Sequence, residues 1–572
     1  MRLLFKPRNK NYVGNGNLPN GTFENTNSWL PITRYLEKGA ETYPDKNMFR
    51  MADSSGKIFE SFTYSETNHN ANRIANGLIK DFDIKKRDRV GMYMLNCSEY
   101  IFSIIAIHKA GGVQVPVNKD EKGERLAYVI NYSGMKALII DNESLPFILE
   151  ISDKLENLKY IFVTSGEFPD EVGAVKALSF SSFNSYESFN PHVDVTIADK
   201  ERCMFTSGTT GLPKGVIRNH GGVIMTVRSF IQQQGLRSGD VLMSVLSLGH
   251  ANAQVLCLFS SIASGCSSVF YPRFSASNFW KWASDCDATG VNMLGAIGEY
   301  VWAAPESKWD KSHKIRFILA APAPKNLKDF EKRFNTKVME GYGSTEMGMV
   351  LWKDPEDERA GSAGFPLEGY YLELRNPENT DEVIRYFWDP DIEPVPPEAA
   401  KGLLFIRPLV PHTTLDEYFK DEKRTKEAFD KDGFFNSDDL FAVGIDGRYY
   451  FQGRYNRIRV SGENVDPVAV ADAAIEYPQI HDAIVVGLRL PNVSDDEIKL
   501  NIILQPDTEF DPIEFCKWMA ERVMVAMVPR FIEIYKKFPL TSTQKIAAFE
   551  LKKLSDKTWD RNTTDLKLKS RN

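Results

Sequence analysis

Short apolar runs alternate with amphipathic segments through most of the chain. Residues 98–110 carry isoleucines at helical spacing and end at a glycine pair, and the β-branched run 113–118 follows directly. A second helix is predicted at residues 125–133, and similar apolar runs recur, with helical segments between them, at residues 137–141, 160–163, 241–248, 267–271, 291–294 and 315–320. Strands that alternate with helices form mainly parallel sheets covered on both faces. The pattern therefore predicts an α/β fold.

The two ends of the chain follow different patterns. The first 65 or so residues are rich in Asn, Gly and Pro and show little periodicity, which predicts an irregular arm before the first helix. After about residue 361, short strands punctuated by turn residues predict a small β barrel or sheet. Beyond Arg454 the pattern predicts a compact α+β domain. We therefore expect an N-terminal domain of residues 1–455 and a C-terminal domain of residues 456–572.

The composition excludes several classes of protein. The 572 residues are 42% hydrophobic and 26% charged, with a formal net charge of −7, which is typical of a globular chain with several cores. This acidic balance indicates no nucleic-acid partner. No run approaches the roughly 18 apolar residues of a membrane span, and the N-terminus lacks the apolar core of a secretory signal. Six scattered cysteines without a Cys-x-x-Cys pair are typical of buried thiols, so we expect a soluble, cytoplasmic protein.

One loop carries the strongest chemical signal. An apolar strand runs into the small residues Thr206, Ser207, Gly208, Thr209, Thr210 and Gly211, and Lys214 follows. Such residues let backbone N–H groups approach an anion, and the lysine adds positive charge, so the loop is typical of a phosphate site. It is not a Walker A loop, because Pro213 and Gly215 flank the lysine. A surface turn is the alternative interpretation, but six consecutive small or hydroxyl residues argue against it.

This loop and several later segments resemble, in the same order, the adenylate-forming superfamily of acyl-CoA synthetases, luciferases and peptide-synthetase adenylation domains. The later segments are 320–324 (Ala-Ala-Pro-Ala-Pro), 341–346 (Gly-Tyr-Gly-Ser-Thr-Glu), 433–440 (Gly-Phe-Phe-Asn-Ser-Asp-Asp-Leu), Arg454 and 539–545 (Pro-Leu-Thr-Ser-Thr-Gln-Lys). The resemblance covers roughly residues 62–551. It implies a large N-terminal domain, made of two doubly wound αβ subdomains and a small β-barrel-like subdomain, and a small, mobile α+β lid domain.

The resemblance also implies roles for individual residues. Lys545 would bridge the attacking carboxylate and the α-phosphate, Thr345 would contact the α-phosphate, and Glu346 would serve Mg²⁺. The residues implied for ATP and AMP are Thr206, Ser207, Gly208, Thr209, Thr210, Lys214, Ala321, Pro322, Gly341, Tyr342, Gly343, Asp439 and Arg454. Asp439 would accept charge-assisted hydrogen bonds from both ribose hydroxyls. Without the motifs, a solvated turn is the simpler interpretation of Asp439, and a surface lysine that of Lys545.

The acceptor is also indicated by the resemblance. Segment 458–467 resembles that of the CoA ligases, in which Ser461 and Gly462 would approach the pantetheine, and Asn456 takes the hinge position. No segment with a carrier-attachment serine follows Asn572 in this sequence. We therefore expect free CoA as the acceptor.

The acyl pocket is expected to be lined by His250, Asn252, Asn292, Gly295 and Ala296. These segments most resemble crotonobetaine/carnitine-CoA ligase-like members of the superfamily. The Gly-Ala pair leaves room for a substrate, whereas the histidine and the two asparagines are polar for a pocket that holds a long alkyl chain. His250 is equally typical of a gate and of a substrate contact. A quaternary ammonium group would need an aromatic or acidic cage, for which the candidates by sequence proximity are Glu299, Tyr300 and Trp302.

Three departures from the family pattern bear on activity. Asp438 stands where a glycine usually precedes the ribose aspartate, and Gln544 where a glycine usually precedes the catalytic lysine. Asn456 and Arg457 replace an Asp or Lys hinge and its acidic neighbour. The last two departures change backbone freedom at the lysine loop and the hinge. An ATP-binding but inactive paralogue is therefore an alternative.

We predict an AMP-forming acyl-CoA synthetase that uses ATP, Mg²⁺ and coenzyme A. It would activate a carboxylic acid, a small-molecule carboxylate, as acyl-AMP, release pyrophosphate and transfer the acyl group to CoA. Besides the inactive paralogue, the alternatives are transfer to a carrier protein and oxygenation of the adenylate. The sequence leaves a homodimer open.

Overall fold

The computed structural model describes residues 29–206, 213–321, 323–324, 326–354, 357, 359, 361–377, 379–384, 401–455, 458–460, 463–490, 495–539 and 548–568. The chain divides into two compact units. The large unit comprises residues 1–205, 215–437 and 441–451, and the small unit comprises residues 206–214, 438–440 and 452–572. No helix in the described ranges is long and apolar enough to cross a membrane.

The helices follow in chain order. They are α1 (Ile32–Thr42), α2 (Tyr64–Lys80), α3 (Ser98–Lys109), α4 (Gly123–Ser133), α5 (Leu145–Glu150), α6 (His220–Gln234), α7 (Ser260–Ser264), α8 (Phe279–Asp285), α9 (Gly295–Ala303), α10 (Leu327–Phe334), α11 (Glu422–Ala428), α12 (Pro467–Ile475), α13 (Pro512–Ala520) and α14 (Ala548–Leu551). A π-helix, Asn252–Phe259, leads directly into α7. The predicted helices at residues 98–110 and 125–133 are confirmed as α3 and α4.

The strands are numbered in the same way. The first thirteen are β1 (Asn47–Ala52), β2 (Ile58–Thr63), β3 (Arg89–Tyr93), β4 (Val113–Pro116), β5 (Ala137–Ile140), β6 (Tyr160–Val163), β7 (Glu171–Val172), β8 (Val175–Ser179), β9 (Lys200–Thr206), β10 (Lys214–Asn219), β11 (Val241–Ser244), β12 (Ser267–Phe270) and β13 (Gly290–Leu294). The next ten are β14 (Phe317–Ala321), β15 (Lys337–Ser344), β16 (Gly348–Trp352), β17 (Ser362–Pro366), β18 (Tyr370–Asn376), β19 (Asn379–Val383), β20 (Lys401–Pro408), β21 (Leu415–Tyr418), β22 (Phe435–Val443) and β23 (Tyr449–Arg454). The last six are β24 (Ile458–Val460), β25 (Glu463–Val465), β26 (Ile480–Leu488), β27 (Glu497–Leu504), β28 (Phe531–Ile534) and β29 (Trp559–Asp560).

Two sheets form the framework of the large unit. Among the described residues, the larger sheet has 14 strands in the order β19-β18-β20-β22-β23-β17-β16-β15-β14-β13-β11-β12-β1-β2. Its strands β1 and β11 to β15 pair in parallel, whereas β15 to β17 pair antiparallel. The strands predicted after residue 361 are thus hydrogen-bonded in series with the parallel strands. The α/β fold is confirmed.

The second sheet of the large unit has the order β21-β10-β9-β4-β3-β5-β6-β8-β7 among the described residues. Its centre, from β9 through β4, β3, β5 and β6 to β8, is parallel. Strands β3 to β6 are almost wholly buried, as expected when helices cover both faces. At one edge, β10 pairs antiparallel with β21, and this pair contributes to the candidate site.

The prediction of an irregular arm before residue 65 is wrong for the described residues. Helix α1 buries Ile32, Tyr35 and Leu36 on one face, and β1 and β2 follow it. Strand β1 pairs in parallel with β12, with Phe49 opposite Ser268. The strand is stabilised by a partner about 220 residues away, which no local pattern of Asn, Gly and Pro reveals.

The small unit has its own four-stranded sheet, β26-β27-β28-β29, and a β24-β25 hairpin among its described residues. Strand β27 lies between antiparallel β26 and parallel β28. Helices α12 and α13 pack on the sheet through buried residues that include Val470, Phe515 and Met519. The unit therefore has the α+β character predicted for the end of the chain.

A buried ion pair fixes the C-terminal segment to this sheet. The Lys499 Nζ on β27 lies 2.6 Å from the Glu533 Oε2 on β28, and the lysine side chain is fully buried. Lys499 also donates hydrogen bonds to the carbonyl oxygens of Leu551 (2.9 Å) and Lys553 (2.6 Å). Glu533 accepts a hydrogen bond of 2.7 Å from the hydroxyl of Ser555. Both charges of the pair are thus compensated by the segment that follows α14.

We expect Lys499→Met to lower the free energy of unfolding of the small unit by about 3–5 kcal/mol, because it leaves Glu533 buried without its countercharge. Urea unfolding of the full chain measures this effect. The control is Lys553→Met, since the pair of that ammonium with Glu550 is exposed and such pairs contribute about 0–1 kcal/mol. Equal losses in the two variants would contradict the prediction.

Candidate active site

The parallel strands bring three predicted segments to one edge of the larger sheet. In the register of β13, β14 and β15, Leu294 lies opposite Ala321, and Ala320 lies opposite Glu340. The segments that follow these paired positions therefore lie at the carboxyl edge of the parallel strands, where residues 341–344 of β15 pair with β16. Open α/β sheets bind ligands at this edge. Gly295, Ala321 and the 341–346 segment are thus placed together by the strand register.

The glycines of the 341–346 segment are required by the close approach of β15 and β16. A Cβ atom on Gly343 would lie 2.1 Å from the carbonyl oxygen of Gly348, far inside van der Waals contact. Between the glycines, the ring of Tyr342 packs edge-on against Phe441, with centroids 4.9 Å apart. The hairpin thereby presents a half-buried aromatic ring beside a stretch of close-packed backbone.

The turn after β15 carries Thr345 and Glu346 and is held by a buried arginine. Arg218, on β10, donates hydrogen bonds to the carbonyl oxygens of Thr345 (2.8 Å) and Thr413 (2.9 Å). Burial lowers the pKa of Arg218 to about 10, so the guanidinium remains charged at neutral pH. The Tyr418 hydroxyl donates a 3.0 Å hydrogen bond to the Oε1 of Glu346. Glu346 is only 7% exposed.

Arg218 and Glu340 are residues that the motif comparison missed. Arg218 could have been suspected from the sequence, since it is a charged residue that directly follows the apolar pair Val216 and Ile217. Glu340, in the middle of β15, accepts a 3.0 Å hydrogen bond from the backbone N–H of Ala323. Burial raises the pKa of Glu340. It thereby holds the backbone of Ala323, which belongs to the 320–324 motif.

The residues predicted for the acyl pocket lie on β13, at the start of α9 and around the start of the π-helix, all in the large unit. Asn292 is on β13 and is 4% exposed, and Gly295 begins α9. His250 precedes the π-helix, which begins at Asn252, and π-helical turns occur frequently at functional sites. The backbone N–H of Asn252 donates to Nδ1 of His250 (3.2 Å), so the neutral imidazole carries its proton on Nε2.

The three cage candidates do not converge. Trp302 already packs against a cation, with the Arg333 guanidinium 5.5 Å from its ring centroid. Tyr300 is 61% exposed and its ring lies 6.3 Å from that of Phe274. Proximity in sequence within α9 therefore does not make a closed aromatic cage here.

A buried polar cluster connects the π-helix to strands β4 and β9 of the second sheet. Gln254 and Gln114 exchange two amide hydrogen bonds of 3.1 Å, and Gln114 donates a 2.6 Å hydrogen bond to Glu201. Glu201 is also 2.7 Å from the guanidinium of Arg202 and 3.2 Å from the ring of His108. Burial alone would raise the pKa of Glu201, but Arg202 and His108 hold it at about 2.

His220, at the start of α6, belongs to the same cluster. Its ring meets that of His108 edge-on at 5.0 Å, and it is 1% exposed. Burial, together with His108, lowers the pKa of His220 to about 3, although Glu201 and Asp199 act in the opposite direction. His220 is therefore neutral throughout the physiological range.

The cluster predicts that the large unit loses stability in acid. His220 and Glu201 have folded-state pKa values below their ordinary values of 6.5 and 4.5. The stability that they contribute is therefore present at neutral pH and is lost as the pH falls. The loss begins at about pH 6.5 for His220 and at about pH 4.5 for Glu201, and each proton taken up lowers the free energy of unfolding by about 1.4 kcal/mol per pH unit. Urea unfolding at stepped pH measures the slope. We expect His220→Phe to flatten it between these two values, whereas His69→Phe, at an exposed position, should not; an unchanged slope in His220→Phe would contradict the assignment.

The small unit contains the remaining described residues of the predicted site. Lys214 begins β10, and Asp439 lies on β22 with an exposed fraction of 4%. Its neighbour Asp438 has a φ of +57°, the left-handed region that favours glycine and that Asp tolerates better than most residues. This conformation accounts for the glycine usual at this position in the family. Asp438 thus adopts a backbone conformation that glycine would adopt with less strain.

Other predicted residues lie outside the described part of the chain. They are Ser207, Gly208, Thr209, Thr210, Pro322, Asn456, Arg457, Ser461, Gly462, Gln544 and Lys545. The side chains of Thr206, Ala296 and Arg454 are also outside it. Their roles stay predictions.

Comparison with known proteins identifies the family. Residues 36–386 match the model of the AMP-binding enzyme family. The crotonobetaine/carnitine-CoA ligase of Proteus mirabilis is 27% identical over 517 residues, which cover 89% of this chain and 96% of that protein.

Solved structures share the fold. The structure of an anthranilate-CoA ligase in complex with anthranoyl-AMP is 22% identical, with a TM-score of 0.66, and covers 91% of this chain and 96% of that one. The o-succinylbenzoate-CoA synthetase of Bacillus subtilis is 19% identical, with a TM-score of 0.72, and covers 93% and 99% of the two chains. The chain therefore belongs to the AMP-binding enzyme family, and its predicted place in the adenylate-forming superfamily is confirmed.

Proposed function

We propose that the protein is an AMP-forming acyl-CoA synthetase that activates a short carboxylic acid bearing a hydroxyl or cationic group. A carboxylate oxygen of the acid attacks the α-phosphorus of ATP, and the bond to pyrophosphate breaks. The sulfur of CoA then attacks the acyl carbon, the bond to AMP breaks, and the thiol proton passes to solvent. The observation that carries the proposal is the Thr345–Glu346 turn, which buried Arg218 holds at the carboxyl edge of the parallel strands.

Glu346 fits a role with Mg²⁺. Its carboxylate is nearly buried and is oriented by the hydroxyl of Tyr418. Mg²⁺ in nucleotide enzymes is usually held by one or two carboxylates together with phosphate oxygens, and when bound it neutralises charge on the leaving pyrophosphate. Among the described residues, no group of three or more His, Cys, Asp or Glu side chains could hold a metal. In our proposal the phosphates of ATP therefore supply most of its ligands.

Electrostatic preorganisation is the main contribution that we assign to the chain. Two anions must meet when the carboxylate attacks the α-phosphate, so fixed donors and cations lower the barrier as charge develops. We assign this role to Thr345, Lys214 and Lys545. Arg218 acts indirectly, because it positions the backbone of Thr345 without contacting the nucleotide in this proposal.

Asp439 is proposed to bind both ribose hydroxyls. We expect Asp439→Ala to raise the KM for ATP by about tenfold to a hundredfold, since the lost hydrogen bonds to a charged group contribute about 1.5–3 kcal/mol. Initial-rate kinetics with varied ATP measure this. Asp438→Gly is the control, because glycine suits the left-handed backbone at that position. An unchanged KM for ATP in Asp439→Ala would remove the residue from the ribose site.

The polar residues of the predicted acyl pocket support a substituted acid. The Oδ1 atoms of Asn252 and Asn292 are buried and accept no hydrogen bond among the described residues. An unsatisfied buried acceptor costs about 1–3 kcal/mol, and a plain alkyl chain would leave both in that state. A hydroxyl or ammonium hydrogen bond would satisfy them, and a trimethylammonium charge would be stabilised by the same carbonyl dipoles. The relative that acts on crotonobetaine and carnitine, by its name, is consistent with this class.

A pyrophosphate-release screen tests the proposal. Each acid of a panel is offered with ATP, Mg²⁺ and CoA, and the panel pairs unsubstituted acids with hydroxyl-, amino- and betaine-type acids of the same length. We expect the substituted member of a pair to have the higher kcat/KM, by about tenfold or more. Higher values for the plain or long-chain members would overturn the substrate class. ATP binding without pyrophosphate release from any acid would favour the inactive paralogue.

The acceptor is tested separately with purified acyl-AMP. We expect thioester to form with free CoA as acceptor. If the acid screen shows pyrophosphate release but supplied acyl-AMP and CoA yield no acyl-CoA, a carrier protein is the alternative acceptor. Oxygen consumption by the adenylate would indicate oxygenation.

A further inference from the structure

The loop that carries His250 is held from behind by a chain of buried side chains. The backbone N–H of Leu248 donates a 2.7 Å hydrogen bond to Asn96, and its carbonyl oxygen accepts a 2.6 Å hydrogen bond from Gln254. His250 and Gln254 are then linked by a backbone hydrogen bond of 3.2 Å. Both polar groups of one backbone residue are thus fixed by amide side chains, one from Asn96, which is distant in the chain, and one from Gln254, which follows on the π-helix.

Behind Gln254 the hydrogen bonds form an ordered series. The Gln254 Nε2 donates to the Leu248 carbonyl oxygen and to the Gln114 Oε1, and the Gln114 Nε2 donates to the Gln254 Oε1 and to Glu201. All four amide hydrogens are used. Gln254, Gln114 and Glu201 are each 0% exposed, so water does not compete for these bonds.

The ionised carboxylate of Glu201 and the carbonyl oxygen of Leu248 fix the direction of the series from its two ends, because each only accepts hydrogen bonds. An ionised carboxylate is an acceptor only, so Gln114 must turn its Nε2 toward Glu201 and its Oε1 toward Gln254. Gln254 must then present Nε2 to both Gln114 and the Leu248 carbonyl oxygen. Arg202 keeps Glu201 charged, at 2.7 Å. A neutral amide at position 201 could donate as well as accept, which would remove the constraint at one end of the series and loosen the loop.

We propose that Gln254 is a positioning residue for acid binding, through which Gln114 and Glu201 hold the 248–252 loop in the geometry that recognises the carboxylic acid. It acts through His250 and Asn252 and does not contact the substrate. This inference rests on the proposed function for the identity of the ligand. It adds that recognition of the acid depends on a charge buried behind the pocket.

Gln254→Met is the principal test, because Met has a similar length and volume but cannot donate to Leu248. We expect the KM for the best acid of the screen to rise about tenfold, with the KM for ATP changed by less than about twofold, since the loss is confined to positioning the acid. Glu201→Gln should have the same signature, because the amide at 201 no longer dictates the orientation of Gln114. Equal increases in both KM values, or no change in the KM for the acid, would overturn the inference.

Asn72→Leu is the matched control for stability. Its buried side chain donates a 2.8 Å hydrogen bond to the carbonyl oxygen of Ser188, which is a bond of the same kind at a position outside the proposed site. We expect this variant to lose stability as Gln254→Met does while retaining the KM for the acid. A rise in the KM for the acid in Asn72→Leu of the same size would show that Gln254 acts only through stability.

Amide hydrogen exchange keeps the inference separate from the proposed function. In the full-length protein without ligands, we expect Gln254→Met to accelerate exchange in the 247–254 segment relative to wild type and to Asn72→Leu. Unchanged exchange there would overturn the inference whatever the activity. If wild-type protein releases no pyrophosphate from any acid, the proposed function fails, while faster exchange would still establish that Gln254 holds the loop.

Discussion

Replacing Lys545 with alanine should abolish the first half-reaction and spare the second. The expected loss of acid-dependent pyrophosphate release is about a thousandfold, because a fixed positive charge between two reacting anions contributes several kcal/mol to the transition state. The conversion of supplied acyl-AMP and CoA to thioester brings no such pair of anions together. Pyrophosphate release and thioester formation, measured separately on one preparation, give the two rates.

Lys552→Ala is a suitable control for the lysine-rich end of the chain. Its side chain is exposed, so we expect both half-reactions to proceed at the wild-type rate. If Lys545→Ala retains adenylation, the catalytic assignment is wrong, even if the rest of the family resemblance stands. If both half-reactions are lost, Lys545 has a structural role or a wider catalytic one.

Arg218→Met should reduce kcat by about a hundredfold and also lower the free energy of unfolding by about 3–5 kcal/mol. Arg218 is fixed by two backbone carbonyl oxygens, one of them in Thr345. Its loss leaves these acceptors and the nearby carboxylate of Glu346 without the buried positive charge. A small displacement of Thr345 and Glu346 is enough to slow the reaction, since catalysis depends on positions within a fraction of an ångström.

A variant of a second arginine is the control that separates an effect on catalysis from an effect on stability. Arg316 likewise donates to a backbone carbonyl, that of Gln234 at 2.7 Å, and pairs with Asp240 at 2.8 Å. We expect Arg316→Met to lower the melting temperature while leaving kcat near the wild-type value. If Arg218→Met and Arg316→Met lose stability equally and kcat is unchanged in both, the turn does not depend on Arg218 in the way proposed.

Much of the architecture was accessible from local patterns. The helices α3 and α4, and the strands β5, β6 and β12, begin and end close to their predicted positions, because apolar periodicity reports which face of an element is buried. The phosphate-type loop and the order of the motifs likewise depend on residues close together in the chain. These signals led to the family that the comparison then confirmed.

Failures arose where a partner distant in the chain decides the outcome. Strand β1 is stabilised by its pairing with β12, and the residues around Phe49 do not predict that partner. The cage proposed around Trp302 assumed that neighbours in a helix converge, whereas a helix points successive side chains in different directions. Arg333 occupies a position against that ring instead.

Residue order thus indicates the α/β class and the motif sequence of an adenylate-forming enzyme and predicts the phosphate loop, since each is encoded within a few neighbouring residues. Folding adds what depends on distance in three dimensions. It brings Arg218 to the carbonyl oxygen of Thr345. It also orients the amides of Gln114 and Gln254 between the charge on Glu201 and the carbonyl oxygen of Leu248. Hydrogen bonds and buried charges act over a few ångströms, so their partners are known only once strands remote in sequence become neighbours.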